Sequence, residues 1–286
     1  MIYGIGHLVT RTSLLKPLRH CRQIQQTYAQ LYGGAKYLLE QPEHRFFRTH
    51  ISEGMIILDV GAHTGYYSRL FSSLVGTHGR VYSFEPDPWS FEVLRNYTHH
   101  RENIQRVPSA VGDTTQQSTF FPNTRNRANS SLFPGLFSEA PIVVEMTSID
   151  SFCEKQSIPK IDAIKIDVEG AEISVLRGAE ELLKTYPPSW IAAELHPQEL
   201  LKGGYNAADL CTLLQHFGYE LHRLSSRGKL VPIGDLHAFI RDCTQEYANM
   251  IAIRKHPPAP WNATLHYNCG SCVPAPRKRD ISSSTS

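Results

Sequence analysis

Leu58-Asp59-Val60-Gly61-Ala62-His63-Thr64-Gly65 ends an apolar run, Met55 to Val60, in a glycine-bearing turn. Ser83-Phe84-Glu85-Pro86 ends a second short run, Arg80 to Phe84, in a single carboxylate. Gly61 and Glu85 lie 24 positions apart, about one strand–helix–strand unit. Open α/β sheets hold nucleosides this way, with backbone N–H groups at the first turn and an acid on the ribose at the second strand end. Glycine admits a ligand close to the backbone because no Cβ intervenes. An ionised carboxylate only accepts hydrogen bonds, so Glu85 can take both ribose hydroxyl protons. The expected cofactor contacts are therefore Gly61, Ala62, His63, Thr64 and Gly65 at the turn, and Glu85.

The turn reads D-x-G-x-x-x-G, whereas a dinucleotide site reads GxGxxG with a helix N-terminus facing pyrophosphate. Asp59 stands two positions before the first glycine. An anion there repels pyrophosphate and suits a ligand carrying positive charge. S-adenosylmethionine, with its ammonium and sulfonium groups, is such a ligand, and Asp59 joins the expected contacts. The alternatives are an NAD-linked oxidoreductase on the same fold, an inactive nucleoside-binding module, and a purely structural turn.

A second constellation runs from Ile161 to Glu172, IDAIKIDVEGAE. It reads as a strand ending in charge, then a helix with Ile173, Leu176, Ala179 and Leu183 at helical spacing. Asp167 and Glu169 fall where a parallel strand ends, which is where such sheets bind ligands. A third strand, Trp190 to Ala193, ends in Glu194-Leu195-His196-Pro197. Alternation puts Glu194 and His196 on the same side of that strand end.

At these residues the chain resembles the FkbM-type methyltransferases, which use S-adenosylmethionine. The matching pieces, in order, are ILDVGAHTGYYS, YSFEPDP, PSAVGD, NSSL, IKIDVEGAE and AAELHP. They fall within a span of about Ile51 to Ile253. The resemblance implies a Rossmann-like fold, O-methylation of a hydroxyl, and a bacterial glycan or secondary-metabolite setting. It also adds Pro86, Ala110 and Asp113 to the expected donor contacts. The family usually has Asn where this chain has His63, so backbone contacts carry over at that turn and a side-chain contact does not.

The 286 residues suffice for one full α/β domain with some decoration. Charges of both signs nearly balance at +2, which gives no case for generic nucleic-acid binding. No apolar run approaches the ~20 residues that span a bilayer, so no stable membrane insertion is expected. The first twenty residues lack a clean apolar stretch and a small-residue cleavage site, which argues against a secretory signal. Cysteines at 21, 153, 211, 243, 269 and 272 suggest no disulfide framework, which fits a reducing cytoplasm. Cys269-Gly-Ser-Cys272 with His266 is half a zinc site without a second ligand pair, and reads as two free thiols. The N-x-[ST] triplets at Asn96, Asn129 and Asn262 carry no meaning in the cytoplasm.

Organisation follows from the same patterning. Residues 1–50 read as a helical cap in which Ile24, Tyr28 and Leu31 share a face until Gly33-Gly34 ends the run, and Pro42 opens a second segment. Its basic bias, from Arg11 to Arg48, is either a solvated face or a dock for an anionic substrate or surface. Residues 51–256 read as a doubly wound, mostly parallel sheet with helices. Strands are expected at 55–60, 80–84, 104–111, 161–167 and 190–194, with an antiparallel edge from 219–224 and 250–254. Residues 114–148, polar with interleaved phenylalanines, read as a substrate lid or an edge hairpin. Residues 257–286 read as a flexible tail.

Methyl transfer to a hydroxyl is an in-line displacement, helped by holding the reacting atoms close and by a base that takes the hydroxyl proton. His196 is the expected base, because imidazole changes charge near neutral pH; a structural histidine before proline is the alternative. Asp167 holds the methionine end of the donor or ligates a divalent metal that acidifies the hydroxyl. Glu169, Glu194 and His196 are close enough in sequence to join it. The expected catalytic set is His196, Asp167 and Glu194, with a hydroxyl-bearing small molecule or glycan as partner and no residue assigned to a metal.

Overall fold

The computed structural model describes residues 21–123, 127–135, 140–243 and 248–255. Its first part holds α1 (Arg22–Leu39), α2 (Gln41–His50), β1 (Ile56–Val60), α3 (Tyr66–Val75), β2 (Arg80–Phe84), α4 (Pro88–Tyr97), β3 (Ile104–Val107), β4 (Ala110–Val111), β5 (Gln116–Phe120) and β6 (Ile142–Thr147). Then come α5 (Ile149–Lys155), β7 (Ala163–Ile166), α6 (Glu172–Arg177), α7 (Glu180–Thr185), β8 (Trp190–Leu195) and α8 (Pro197–Lys202). The chain continues with α9 (Ala207–His216), β9 (Tyr219–Leu224), β10 (Leu230–Pro232), α10 (Leu236–Asp242) and β11 (Ala248–Arg254).

One sheet runs β10-β9-β11-β8-β7-β1-β2-β3. The strands from β3 to β8 are parallel, while β11, β9 and β10 pair antiparallel at one side. This is the doubly wound, Rossmann-like α/β architecture with an antiparallel edge. The central strands are apolar on both faces, as sheets covered on both sides require. Leu58, Val60, Ile164 and Ile166 pack against α6, α7 and α9. Ile57, Val81 and Ala163 face Phe46 and Phe47 of α2 and Phe71 of α3. From β1 the chain winds outward through β2 and β3, and from β7 it winds the other way through β8. The crevice at this reversal is where open α/β sheets take ligands.

Several local expectations shift. The helix of the N-terminal segment does not stop at Gly33-Gly34 but runs on to Leu39. Each interior glycine costs a helix about 1 kcal/mol, but tertiary packing outweighs that here. The Tyr28 and Trp89 ring centroids stand 5.2 Å apart, and a Cβ on Gly33 would come within 3.0 Å of the Tyr66 ring. Leu31 is 51 % exposed, because the buried face is Gln25, Tyr28, Ala29 and Gly33. The expected strand at 104–111 divides: β3 stays in the main sheet, and β4 joins a small sheet ordered β4-β6-β5. Residues 114–148 thus supply an antiparallel pair, β5 with β6, and a connection between them that reaches the cavity through Arg127–Asn129 and Leu132. The helical pattern after Glu172 forms two short helices, α6 and α7. Phe137, the CxxC and the proposed tail at 257–286 lie outside the described residues.

Candidate active site

The parallel register brings the predicted acids together. Val60 of β1 stands opposite Phe84 of β2 and Ile166 of β7, so the residues that follow, Gly61, Glu85 and Asp167, leave adjacent strand ends. They border a cavity of about 270 Å³. Asp59, Ala62, His63, Thr64, Pro86, Ala110, Glu194 and His196 also line it. The structure therefore gathers most of the sequence-predicted residues at one place. Asp113 is not among them. It follows β4 into the second sheet, is exposed, and uses its N–H to donate to Ser174 Oγ at 3.1 Å. Gly65 does not line the cavity either. Its φ is +85°, and a Cβ would stand 2.5 Å from Leu94 Cδ1, so this glycine seats α3 against α4.

Gly61 has a reason that the sequence does not show. Its φ is +80°, and a Cβ would lie 1.8 Å from the carbonyl oxygen of Asp167. The glycine lets two strand ends close on each other. Gly61→Ala is expected to lower stability by about 2 kcal/mol or more, read as a shift of the urea midpoint at unchanged slope. A wild-type midpoint would refute the crowding.

Glu85 is held from both sides. His63 N–H donates to Oε2 and Asp87 N–H to Oε1, each at 2.8 Å. A carboxylate has about four acceptor positions, so two remain, as two ribose hydroxyls require. Burial, and then Asp87, push its carboxyl up to about 8. Asp87 itself caps α4 by accepting from Ser90 N–H and pairs with Arg127 at 2.6 Å. The connection between β5 and β6 is thereby tied down beside the ribose acid. Ser131 Oγ, which donates to the Glu169 carbonyl at 2.7 Å, ties it as well.

Lys165 is one residue that sequence reasoning missed. It lies directly opposite Asp59 in the β1–β7 register. Its Nζ is 3.0 Å from Asp167 Oδ2 and 3.9 Å from Asp59 Oδ1, over the Tyr67 ring at 5.0 Å. A lysine inside an otherwise apolar strand is rare unless paired, and its place two residues before Asp167 gives both side chains one face. Burial would raise the Asp167 carboxyl, but Lys165 and Lys36 hold it down at about 2. For Asp59, burial prevails over Lys165 and Ser68, and its carboxyl is raised. Lys36 enters from α1 and pairs with Glu40 at 2.6 Å; Glu40 in turn accepts from Tyr67. No local sequence signal marks Lys36, because its place depends on how α1 packs.

Burial followed by neighbouring carboxylates pushes Glu169 and Glu194 well above the usual range. Burial lowers His63 to about 4, so it is neutral, with its ring 4.9 Å from that of Tyr32. His196 occupies the N-cap position of α8. Buried polar atoms are normally paired. Yet Asp59 Oδ1, Thr64 Oγ1, both His63 ring nitrogens, Glu169 Oε2 and His196 Nδ1 have no hydrogen-bond partner among the described residues. All belong to residues lining this cavity. They form a wall suited to a polar, positively charged ligand.

Residues 59–221 match the methyltransferase FkbM domain. The chain is similar to the 2-O-methyltransferase NoeI of Sinorhizobium fredii, 27 % identical over 178 residues, 57 % of this chain and 72 % of that protein. It is also similar to the hexuronic acid methyltransferase AglP of Haloferax volcanii, 27 % identical over 164 residues, 55 % of this chain and 62 % of that protein. Among solved structures, the fibrillarin of Aeropyrum pernix with natively bound S-adenosyl-L-methionine has a TM-score of 0.41 at 17 % identity, covering 71 % of this chain and 68 % of that one.

Proposed function

The chain belongs to the FkbM methyltransferase family, and from that premise we propose that it methylates a hydroxyl of a sugar, glycan or secondary metabolite with S-adenosylmethionine. The observation that carries the choice of donor is Glu85, fixed by two backbone N–H groups with two acceptor positions left over, beside the turn at Gly61–Thr64. The unpartnered polar atoms of the cavity fit the same molecule. The donor supplies a methyl carbon made electrophilic by sulfonium. Glu85 takes the ribose hydroxyls. Asp59, with Lys165 beside it, receives the charged methionine end. His196 Nδ1 accepts the proton that leaves the acceptor hydroxyl, and Glu194 helps to place that hydroxyl. The proposed acceptor class is supported by the relatives, one of them named for 2-O-methylation and one for hexuronic acid.

We place the activity in the cytoplasm and not on nucleic acid; the free cysteines among the described residues and the near-balanced charge support this. No helix of the described residues is long and apolar enough to cross a membrane. The proposed divisions are a cap at 1–50, a donor-binding domain at 51–256 and a tail at 257–286.

Isothermal titration is expected to show binding of S-adenosylmethionine and of S-adenosylhomocysteine, and none of NAD. Heat with NAD and none with either adenosyl compound would overturn the donor assignment.

A further inference from the structure

Three carboxylates converge at the cavity. Asp167 follows β7, Glu169 lies in the turn to α6, and Glu194 is near the end of β8. One oxygen from each lies within 4.8 Å of the other two. Hard divalent cations take oxygens at ~2.0–2.6 Å, so ligands on opposite sides of one ion stand ~4–5 Å apart, and the cluster has that span. Proximity of acids alone would not make a site. Glu169, however, is only 8 % exposed, and its Oε2 has no hydrogen-bond partner among the described residues. A buried carboxylate oxygen without a donor is costly, and Lys165 is already engaged with Asp167 and Asp59.

We propose that Asp167, Glu169 and Glu194 form the site of one hard, oxygen-preferring divalent cation, such as Mg²⁺ or Mn²⁺, that holds the acceptor's hydroxyl oxygen. The role of the ion rests on the methyltransferase reading; its binding does not. An oxygen bound to the cation gives up its proton more readily. That proton passes to His196, the oxygen forms the new bond to the methyl carbon, and the carbon–sulfur pair stays with sulfur, so no oxidant or reductant is involved.

The test titrates Mn²⁺ into the full chain without donor, followed by electron paramagnetic resonance and by the melting temperature. One bound Mn²⁺ per chain and a raised melting temperature are expected. Glu169→Gln and Glu194→Gln, on separate segments, should each weaken Mn²⁺ by ~10–100-fold or more and keep their affinity for S-adenosylhomocysteine. No bound Mn²⁺ in the wild type would overturn the proposal, as would equal affinity in both variants. Displacement of Mn²⁺ by S-adenosylmethionine would also overturn it, because the carboxylates would then seat the donor's cationic end. If Mn²⁺ binds as expected and no adenosyl compound binds, the cation site stands and the donor assignment falls.

Discussion

His196→Ala is expected to lower turnover by ~10²–10⁴-fold, the usual worth of one general base, with the affinity for S-adenosylmethionine unchanged. The donor has no use for that proton acceptor, so binding and rate should separate. The imidazole sits at the start of α8, on the cavity wall, with Nδ1 unpartnered among the described residues. Rates are measured at saturating donor. Wild-type turnover in the variant would assign proton removal elsewhere. Loss of donor binding in parallel would make His196 a structural residue of the donor pocket.

Glu85→Ala is expected to weaken donor binding by about 3 kcal/mol or more, since it removes two charge-assisted hydrogen bonds of roughly 1.5–3 kcal/mol each. The same variant strands the N–H groups of His63 and Asp87, so Glu85→Gln is the companion and circular dichroism the check on folding. The wild type carries its own test. Glu85 is raised to about 8 in the free protein, and only the ionised form accepts both ribose protons. Donor affinity should therefore fall as pH drops below about 8. The sign for stability is opposite. A carboxyl raised in the folded state stabilises fully below its unfolded value, ~4.5, and that contribution is lost as pH rises through about 8. Calorimetry across pH reads the first trend and denaturant midpoints the second. PH-independent donor affinity in a folded wild type would remove Glu85 from the ribose.

The strand ends were legible because their signals are local. Asp59, Gly61, Glu85, Asp167 and Glu194 each close an apolar run, and parallel pairing aligns such ends without further information. What stayed hidden depends on contacts between distant segments. The helix that supplies Tyr32 and Lys36 passes through two glycines because Tyr28 and Gly33 have partners on α4 and α3. The family resemblance carries Asp113 into the expected site, but β4 leaves the main sheet just before it. Gly61 lines the cavity, and its lack of a Cβ, like that of Gly65, also answers to protein atoms nearby. Lys165 was visible as a charge inside a strand, and only the register shows that it faces Asp59.

That pairing bears on how the chain chooses its fold. A slip of β7 by one residue along β1 would turn every β7 side chain to the other face of the sheet. Lys165 would then enter the apolar layer around Ile164 and Leu176, while Asp59 would stay behind, buried and without a cation. Leaving one partner of a buried ion pair alone costs ~3–5 kcal/mol, comparable with much of a domain's net stability of ~5–15 kcal/mol. The charges that line the donor pocket thus also reject misaligned strands, and a neutral residue at Lys165 would loosen that choice of register.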